Sequence, residues 1–429
     1  MSKPDSAWSQ QRISEFLAFE ELGYQKIELP YGLATPGVER RYLYDIAFGN
    51  QLSGESVLDV GSYLGAFCIE SLKRGAGAAV GLELNRERIR QARAIAEILA
   101  LKPEYRQLDI ETCSLDGTFD ITLCLNVLHH LRDPVRVLYE LTEVTKRKLV
   151  LEFAAFGRRD RRKNKVGRIS ARVFARHPSI YVASGNPDKR NQTFFFSPHA
   201  VARLLDGHKK QYHTVTVMKS EDFKERCVIV AEKLRIRKLT VVSGPTSSGK
   251  STLMESLMGG GEGDLAQSQL VMRDPHIVHA SDVSNNQLRD VFPSADVKHV
   301  VYHYDTVRME RLGLHAFHRD CATELLRCAD EVRFVFLAPK KSTLLTQLQA
   351  SEIDGKPFKK TRWYRALLKL YEGPRWLSDH YQEWLAFCEA FPGANKRYFA
   401  YMEQDDGQRC LASTTIGQMR AYAISLGST

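Results

Sequence analysis

The sequence predicts an α/β protein made of two doubly wound, three-layer domains in series. Three observations carry that prediction. Short aliphatic runs alternate with helical stretches twice along the chain, first from Val57 to about Lys233 and again from Leu234. The first strand of each series runs into a glycine-containing turn, Asp59-Val60-Gly61-Ser62-Tyr63-Leu64-Gly65 in one and Gly244-Pro245-Thr246-Ser247-Ser248-Gly249-Lys250-Ser251-Thr252 in the other. The length of 429 residues, with 43% hydrophobic and 26% charged residues, suits two domains of ordinary globular composition.

The elements follow in order. Residues 1–50 read as a helical extension, with Trp8, Ile13, Phe16 and Leu17 at helical spacing. The first domain is placed at 51–235. Its strands are VLDVG, AVGLEL, EYRQLDI, FDITLCLNVL and KLVLEF, and helices such as NRERIRQARAIAEILAL and PVRVLYELTEV lie between them. Ser197 and Pro198 open a further helix that ends near Gly207. YHTVTVM and ERCVIVAEK then form a hairpin that completes a mixed sheet. The second domain is placed at 236–429. Its first strand is KLTVVSG, its first helix SSGKSTLMESLM, and its later strands HIVHAS, KHVVYHYD, VRFVFLA and KRYFAYM. GGGEG at 259–263 reads as a loop.

The net charge of +10 is uneven. A basic insertion at about 157–190 carries eleven Lys and Arg between Arg158 and Arg190, against Asp160 and Asp188. Such a run attracts polyanions, either RNA or an anionic membrane surface, and otherwise is a solvated loop. The eight cysteines include no CxxC pair, so free thiols in a reducing compartment are expected and a structural metal is not. No run approaches the roughly 18 apolar residues of a membrane helix, and residues 1–16 lack a signal core. The expected location is cytoplasmic, or peripheral to the inner face of the membrane.

Glycines in the first turn let the backbone approach a ligand closely, and Glu83 ends the second strand about twenty residues on. Together they point to a nucleoside-containing cofactor without naming it. Over roughly residues 50–230 the chain resembles the class I S-adenosylmethionine-dependent methyltransferases, through VLDVGSYLG, Glu83, Asp109 and the string NVLHHLRDP that begins at Asn126. The resemblance implies a Rossmann-like fold and S-adenosylmethionine as cofactor. It places Asp59, Gly61 and Gly65 around the methionine part, Glu83 at the ribose, Asp109 at the adenine amino group and Asn126 beside the cofactor. Asp59 reads equally as a turn-stabilising carboxylate. His129 is a catalytic candidate, with helix packing as the alternative, and packing is the reading for His130. Ser62 and Tyr63 stand where many relatives have a smaller turn. The motif at Asn126 is not the NPPY type, which favours small-molecule or oxygen-directed acceptors. LHHLRDPVRVLYEL and KLVLEF also resemble, over a short span, enzymes that alkylate the tRNA wobble uridine.

The second turn satisfies G-x-x-x-x-G-K-[ST] between a strand and a helix, the context that motif requires. Its chemistry is a phosphate cradle: Gly244, Gly249 and Thr252 shape the loop, Lys250 neutralises phosphate charge and Ser251 ligates Mg²⁺. Residues 236 to about 400 resemble a P-loop NTPase or kinase fold that uses ATP. At the end of the strand HVVYHYD, Asp305 is a second metal ligand, or else a strand-end turn residue. On that resemblance Asp282 is the base for the acceptor hydroxyl, or else a helix N-cap. Lys359, Lys360, Arg362 and Arg365 are a basic lid, or else a solvated helix face.

The expected function is therefore a bifunctional enzyme that transfers methyl from S-adenosylmethionine and phosphoryl from ATP to a glycan or glycolipid acceptor. In its logic it resembles the enzymes that cap bacterial O-antigen polysaccharides. An RNA-modifying or RNA-repair enzyme and a nucleotide-switched regulatory protein are the alternatives. Acceptor identity, reaction order and oligomeric state stay open.

Overall fold

A strand covered on both faces must be apolar at consecutive positions, and the central strands of this chain are. The computed structural model describes every residue except 1–7, 155, 157–160, 163, 184–193, 208–210, 224, 259–269, 271–274, 308–316, 318–319, 351, 354–355, 358–360, 374, 392–394, 404–408 and 427–429. The chain divides into two compact units, one of residues 1–208 and 214–233, the other of 209–213 and 234–429.

The first unit begins with α1 (Gln10–Phe19), α2 (Arg41–Phe48), β1 (Ser56–Val60), α3 (Ala66–Lys73), β2 (Ala78–Glu83), α4 (Arg86–Ile98) and β3 (Glu104–Gln107). It continues with β4 (Phe119–Leu125), α5 (Pro134–Val144), β5 (Thr145–Ala154), α6 (Arg168–Arg176), β6 (Ile180–Val182) and β7 (Phe194–Phe196). It ends with α7 (Pro198–Gly207), β8 (Tyr212–Lys219) and β9 (Arg226–Lys233). Seven strands lie in the order β3-β2-β1-β4-β5-β9-β8. The first five are mutually parallel and β9 is antiparallel to β5. In β5 the consecutive residues Leu149, Val150 and Leu151 point to alternate faces, yet all are wholly buried. Helices therefore cover both faces and make three layers. Each such side chain contributes about 1.5–3 kcal/mol relative to exposure. Local signals fix the helix starts. The Asn85 side chain accepts from the Glu87 amide at 2.8 Å, and Asp133, just before Pro134, accepts from the Arg136 amide at 3.1 Å.

Residues 1–50 depart from the expected helical extension. Among its described residues only α1 and α2 are α-helical. Between them the chain runs irregularly, with a single 3₁₀ turn at Pro30–Gly32, because Gly23, Pro30, Gly32, Pro36 and Gly37 interrupt any helix. Nor is the segment an appendage, since Ile13, Leu22, Ile27, Leu29 and Leu43 share one core with Val57, Leu64 and Phe67. The basic insertion, expected as a loop on the bland reading, holds α6 and β6 among its described residues, and β6 pairs with β7 just beyond it.

The second unit runs β10 (Arg235–Gly244), α8 (Lys250–Met258), β11 (His276–His279), α9 (Ala280–Asn285), α10 (Leu288–Val291), β12 (Asp296–Asp305) and β13 (Ala329–Leu337). Next come α11 (Lys341–Ala350), β14 (Glu352–Ile353), β15 (Lys356–Pro357), α12 (Arg362–Glu372) and α13 (Trp376–Ala390). It closes with β16 (Asn395–Glu403), β17 (Arg409–Ser413) and α14 (Ile416–Ser425). Its six-stranded sheet has the order β11-β12-β10-β13-β16-β17, parallel except for β17. Alternation again gives three layers. Val241, Tyr302 and Phe334 belong to one core, while their neighbours Val242, Val301 and Val335 belong to another. The loop GGGEG lies outside the described residues. Among the described residues no helix is long and apolar enough to cross a membrane.

Candidate functional site

In the first unit, the ends of β1, β2 and β4 and the segment after β3 enclose a cavity of about 420 Å³. Gly61, Glu83, Asp109, Asn126 and His129 all line it, together with Tyr24, Tyr63, His130 and Arg226. Gly61 sits at φ +78°, and a Cβ there would come within 2.3 Å of Val127 Cγ2, so only glycine fits. Gly65 lies beyond the lining. It also has φ +78°, and its missing Cβ leaves room for the Tyr105 ring. The turn between them is held from the amino-terminal segment. Gln25 Oε1 accepts from the Ala66 amide at 3.3 Å, and Gln25 Nε2 donates to the Ser62 carbonyl at 3.4 Å.

Glu83 is fixed by the backbone, accepting from the amides of Tyr63 (3.0 Å) and Asn85 (2.9 Å). Asp109 accepts from the Glu111 amide at 3.0 Å. Asp59 lies under the turn, wholly buried. Burial first, and the Glu83 charge second, push its carboxyl up to about 7 against the opposing pull of Arg40. Asn126 adopts a left-handed φ of 63°, and its Oδ1 is buried without a hydrogen-bond partner. Ser62 Oγ is buried and unpartnered as well.

Beside these lies a buried polar cluster that the sequence does not announce. Glu152, wholly buried, takes Arg40 Nη2 at 2.7 Å and the Ser220 hydroxyl at 2.9 Å. It also accepts from Asn126 Nδ2 and, at 3.4 Å, from Arg226. Arg40 Nε donates to Asp222 at 2.8 Å. Arg226 packs over Phe223 with its guanidinium 3.8 Å from the ring centroid, and donates to the Tyr24 hydroxyl at 3.0 Å. Asn126 Nδ2 donates to the same hydroxyl at 3.1 Å.

The two histidines differ. His129 is buried, and its Nδ1 accepts from the Ala154 amide at 3.4 Å, so the neutral ring carries its proton on Nε2. Burial, with help from the charges of His130 and Arg226, pushes it down to about 3. His130 is exposed toward the cavity, and desolvation and Arg226 hold it below its ordinary value. The proton-handling role expected of His129 thus meets a ring whose free nitrogen is already engaged.

In the second unit the residues expected at the phosphate cradle gather at the carboxyl end of β10. Lys250 is buried. Its Nζ donates to the carbonyls of Gly244 (3.1 Å) and Pro245 (2.7 Å) and pairs with Asp305 at 3.3 Å. Desolvation lowers its pKa despite that pairing. Asp305 also accepts from the Thr246 hydroxyl at 2.9 Å and the Val307 amide at 2.9 Å. Gly249 has φ +93°, with Arg409 packed where a Cβ would stand. Arg409 donates to the Ser248 carbonyl at 3.2 Å, while its Nη2 and the Ser248 hydroxyl are buried without partners. Ser251 and Thr252 are exposed in the first turn of α8. Asp282 lies in a capping box, where one oxygen accepts from the His279 amide at 3.2 Å. The His279 ring lies 4.9 Å from that of His303, which burial and then the Lys250 charge push down to about 3. Arg362 and Arg365 are exposed on α12, whereas Lys359 and Lys360 lie outside the described residues. Among the described residues no group of three or more His, Cys, Asp or Glu is arranged to hold a metal.

Residues 57–148 match the family described as "Methyltransferase domain". Part of the first unit is thus similar to a methyltransferase domain. The ubiquinone biosynthesis O-methyltransferase of Actinobacillus pleuropneumoniae serotype 5b (strain L20) is 31% identical over 115 residues, covering 25% of this chain and 49% of its own. That of Vibrio parahaemolyticus serotype O3:K6 (strain RIMD 2210633) is 30% identical over 140 residues, 31% of this chain and 58% of its own. The chain spans about half the length of the curated relatives it matches. Among solved structures, the N-terminal domain of EvdMO1 in the presence of SAH and D-fucose is 19% identical, with a TM-score of 0.38 over 53% of this chain and 97% of that one. Magnesium protoporphyrin IX methyltransferase from Synechocystis PCC 6803 with bound SAH is 21% identical, with a TM-score of 0.33 over 44% and 79%. The cavity and its buried polar cluster owe Tyr24, Arg40, Glu152 and Arg226 to segments outside NVLHHLRDP and the glycine turn. The one available signal was Glu152 itself, a charge at the end of the apolar run KLVLEF.

Proposed function

We propose that the chain is a two-activity transferase, an S-adenosylmethionine-dependent O-methyltransferase in its first unit and an ATP-dependent phosphotransferase in its second. The observation that carries the first half is the unpartnered, buried Asn126 Oδ1 in a cavity that also holds Gly61, Glu83 and Asp109. A buried acceptor without a donor costs about 1–3 kcal/mol, and a ligand that donates to it removes that cost. The fit extends to Glu83, whose backbone-fixed oxygens keep lone pairs for ribose hydroxyls, and to Asp109 for an adenine amino group. Once bound there, S-adenosylmethionine supplies an electrophilic methyl group.

The chain's own residues prepare the acceptor. Tyr24 Oη already accepts from Asn126 and Arg226, so its own O–H is what remains to donate into the cavity and orient an acceptor oxygen. His130, neutral at neutral pH because its pKa is lowered, takes the acceptor's hydroxyl proton. His129 positions the end of β5 through Ala154.

Support for the second half is the pair of orphans on the same glycine loop, Ser248 Oγ and Arg409 Nη2, together with a buried lysine that bonds two carbonyls and Asp305. ATP with Mg²⁺ supplies the transferable phosphoryl group there. Lys250 and Arg409 neutralise phosphate charge, Ser251 and Asp305 hold the metal, and the second oxygen of Asp282 takes the acceptor proton. Both transfers consume a hydroxyl, so a glycan or glycolipid end serves both. The aromatic pair Tyr24 and Tyr63, 5.7 Å apart, gives the methyl site the apolar wall that a sugar ring face packs on.

The test supplies methyl-labelled S-adenosylmethionine and γ-labelled ATP with separate glycan, glycolipid and RNA pools, followed by product mass. Both labels are expected on the carbohydrate pools. Label on RNA alone overturns the acceptor, and incorporation that survives Gly61→Ala or Lys250→Met overturns the site concerned.

A further inference from the structure

The segment between β5 and α7 folds around an aromatic cluster and turns the wrong residues outward. Phe156 lies 5.5 Å from Phe174 of α6, 5.3 Å from Tyr181 of β6 and 5.0 Å from Phe195 of β7. These rings hold helix and ribbon together by packing on one another. On the outside are aliphatic side chains. Ile169 is 79% exposed and Val173 52%, one helical turn apart on α6. Ile180 is 43% exposed and Val182 63%, both on the face of β6 opposite Tyr181. No solvent-facing module gains by this arrangement, since each exposed aliphatic forgoes about 1.5–3 kcal/mol of burial.

Charge lies alongside. Arg168, Arg172 and Arg176 recur every four residues on α6, so they form a stripe flanking Ile169 and Val173, and all three are exposed. Arg161, Arg162 and Lys165 precede them in the chain. A helix with aliphatics on one stripe and arginines beside them matches the boundary of an anionic bilayer. There the aliphatics enter the acyl edge and the guanidinium groups reach lipid phosphates. Single-stranded RNA calls for a different surface, with aromatic faces presented for base stacking. Here the rings are turned inward against each other.

We propose that α6 forms a docking face for an anionic lipid bilayer, with Ile169 and Val173 inserted and Arg168, Arg172 and Arg176 at the phosphates. The face stands apart from the methyl cavity. None of these five residues lines it, so the proposal does not rest on the activity assigned above.

The test is co-sedimentation of the full chain with two vesicle preparations, phosphatidylcholine alone and equal parts phosphatidylcholine and phosphatidylglycerol. Binding is expected to the anionic vesicles only, weakening as salt is raised. The double variant Ile169→Asp/Val173→Asp should lose binding by about ten-fold or more. Arg168→Glu/Arg172→Glu should do the same, and Val173→Trp should strengthen binding. Because the substituted side chains are exposed, unchanged thermal unfolding identifies a folded variant, and Val173→Trp, read on protein with unchanged unfolding, tests the same face by a gain. Failure to bind anionic vesicles overturns the proposal. So does binding that ignores the aspartates, or retention on RNA that depends on the arginines while vesicle binding is absent.

Discussion

Arg40 and Glu152, 112 residues apart in sequence, meet as a buried ion pair at 2.7 Å, while Arg40 Nε donates to Asp222 at 2.8 Å. Removing one member leaves charge stranded in a low-dielectric interior. Arg40→Met is expected to cost about 3–5 kcal/mol. Arg40→Met/Glu152→Met should recover part of it, because both charges then leave together. Denaturant unfolding of the three proteins measures this.

Gly61→Ala should abolish uptake of S-adenosylhomocysteine without unfolding the domain. The new methyl group meets Val127 Cγ2, and φ +78° strains any residue with a Cβ. Val127→Ala on top of it removes the clash but not the strain, so affinity returns only in part. Calorimetric titration distinguishes the two contributions.

Asp59 makes a pH prediction whose sign is unusual for a carboxylate. Its folded pKa, about 7, lies above the ordinary value of 3.8, so between those limits the folded state binds more protons than the unfolded one. Its contribution to stability is complete below about pH 4 and is lost as pH rises toward 7, at up to about 1.4 kcal/mol per pH unit. His129, lowered to about 3, works in the opposite sense and loses stability as pH falls below its unfolded value. The difference between wild type and Asp59→Asn isolates the first effect. The variant should gain steadily on wild type from pH 4 to 7 in urea unfolding.

The two histidines should separate by assay. His130→Gln is expected to lower kcat for methyl transfer by about 10²–10⁴-fold, with little change in stability. His129→Ala strands the Ala154 amide and should cost about 1–3 kcal/mol of stability first. Paired rate and unfolding measurements read both.

In the second unit, if the proposed phosphotransferase site is right, Mg-ATP should raise the Tm of the wild type and Lys250→Met should erase that rise. The apo protein should stay folded, because Thr246 and the Val307 amide still satisfy Asp305. Thermal scans with and without nucleotide test it.

Much of this was legible in sequence for a physical reason. Doubly covered strands need consecutive apolar residues, and VLDVG, FDITLCL, KLVLEF and KLTVVSG have them. The tight turns at Gly61 and Gly249 need glycine and show it. What stayed hidden depends on three-dimensional neighbours. Tyr24 and Arg226 are 202 residues apart and meet only because the irregular segment after α1 folds back over the sheet. β17 is five residues long with Arg409 at its start, too short and too polar for a periodic signal. α6 lies in a run whose charge density reads as solvated loop, and its anchoring ring Phe174 finds partners only from β6 and the Phe156 region.

The pairing of Lys250 with Asp305 has an energetic corollary for the nucleotide binding proposed above. A cation already engaged by a carboxylate and two carbonyls must exchange partners to greet a triphosphate, so the measured affinity is a difference between two sets of contacts. An Asp305→Asn chain, freed of that internal rival, should therefore grip metal-free ATP more tightly than the wild type, even while it transfers phosphate more slowly.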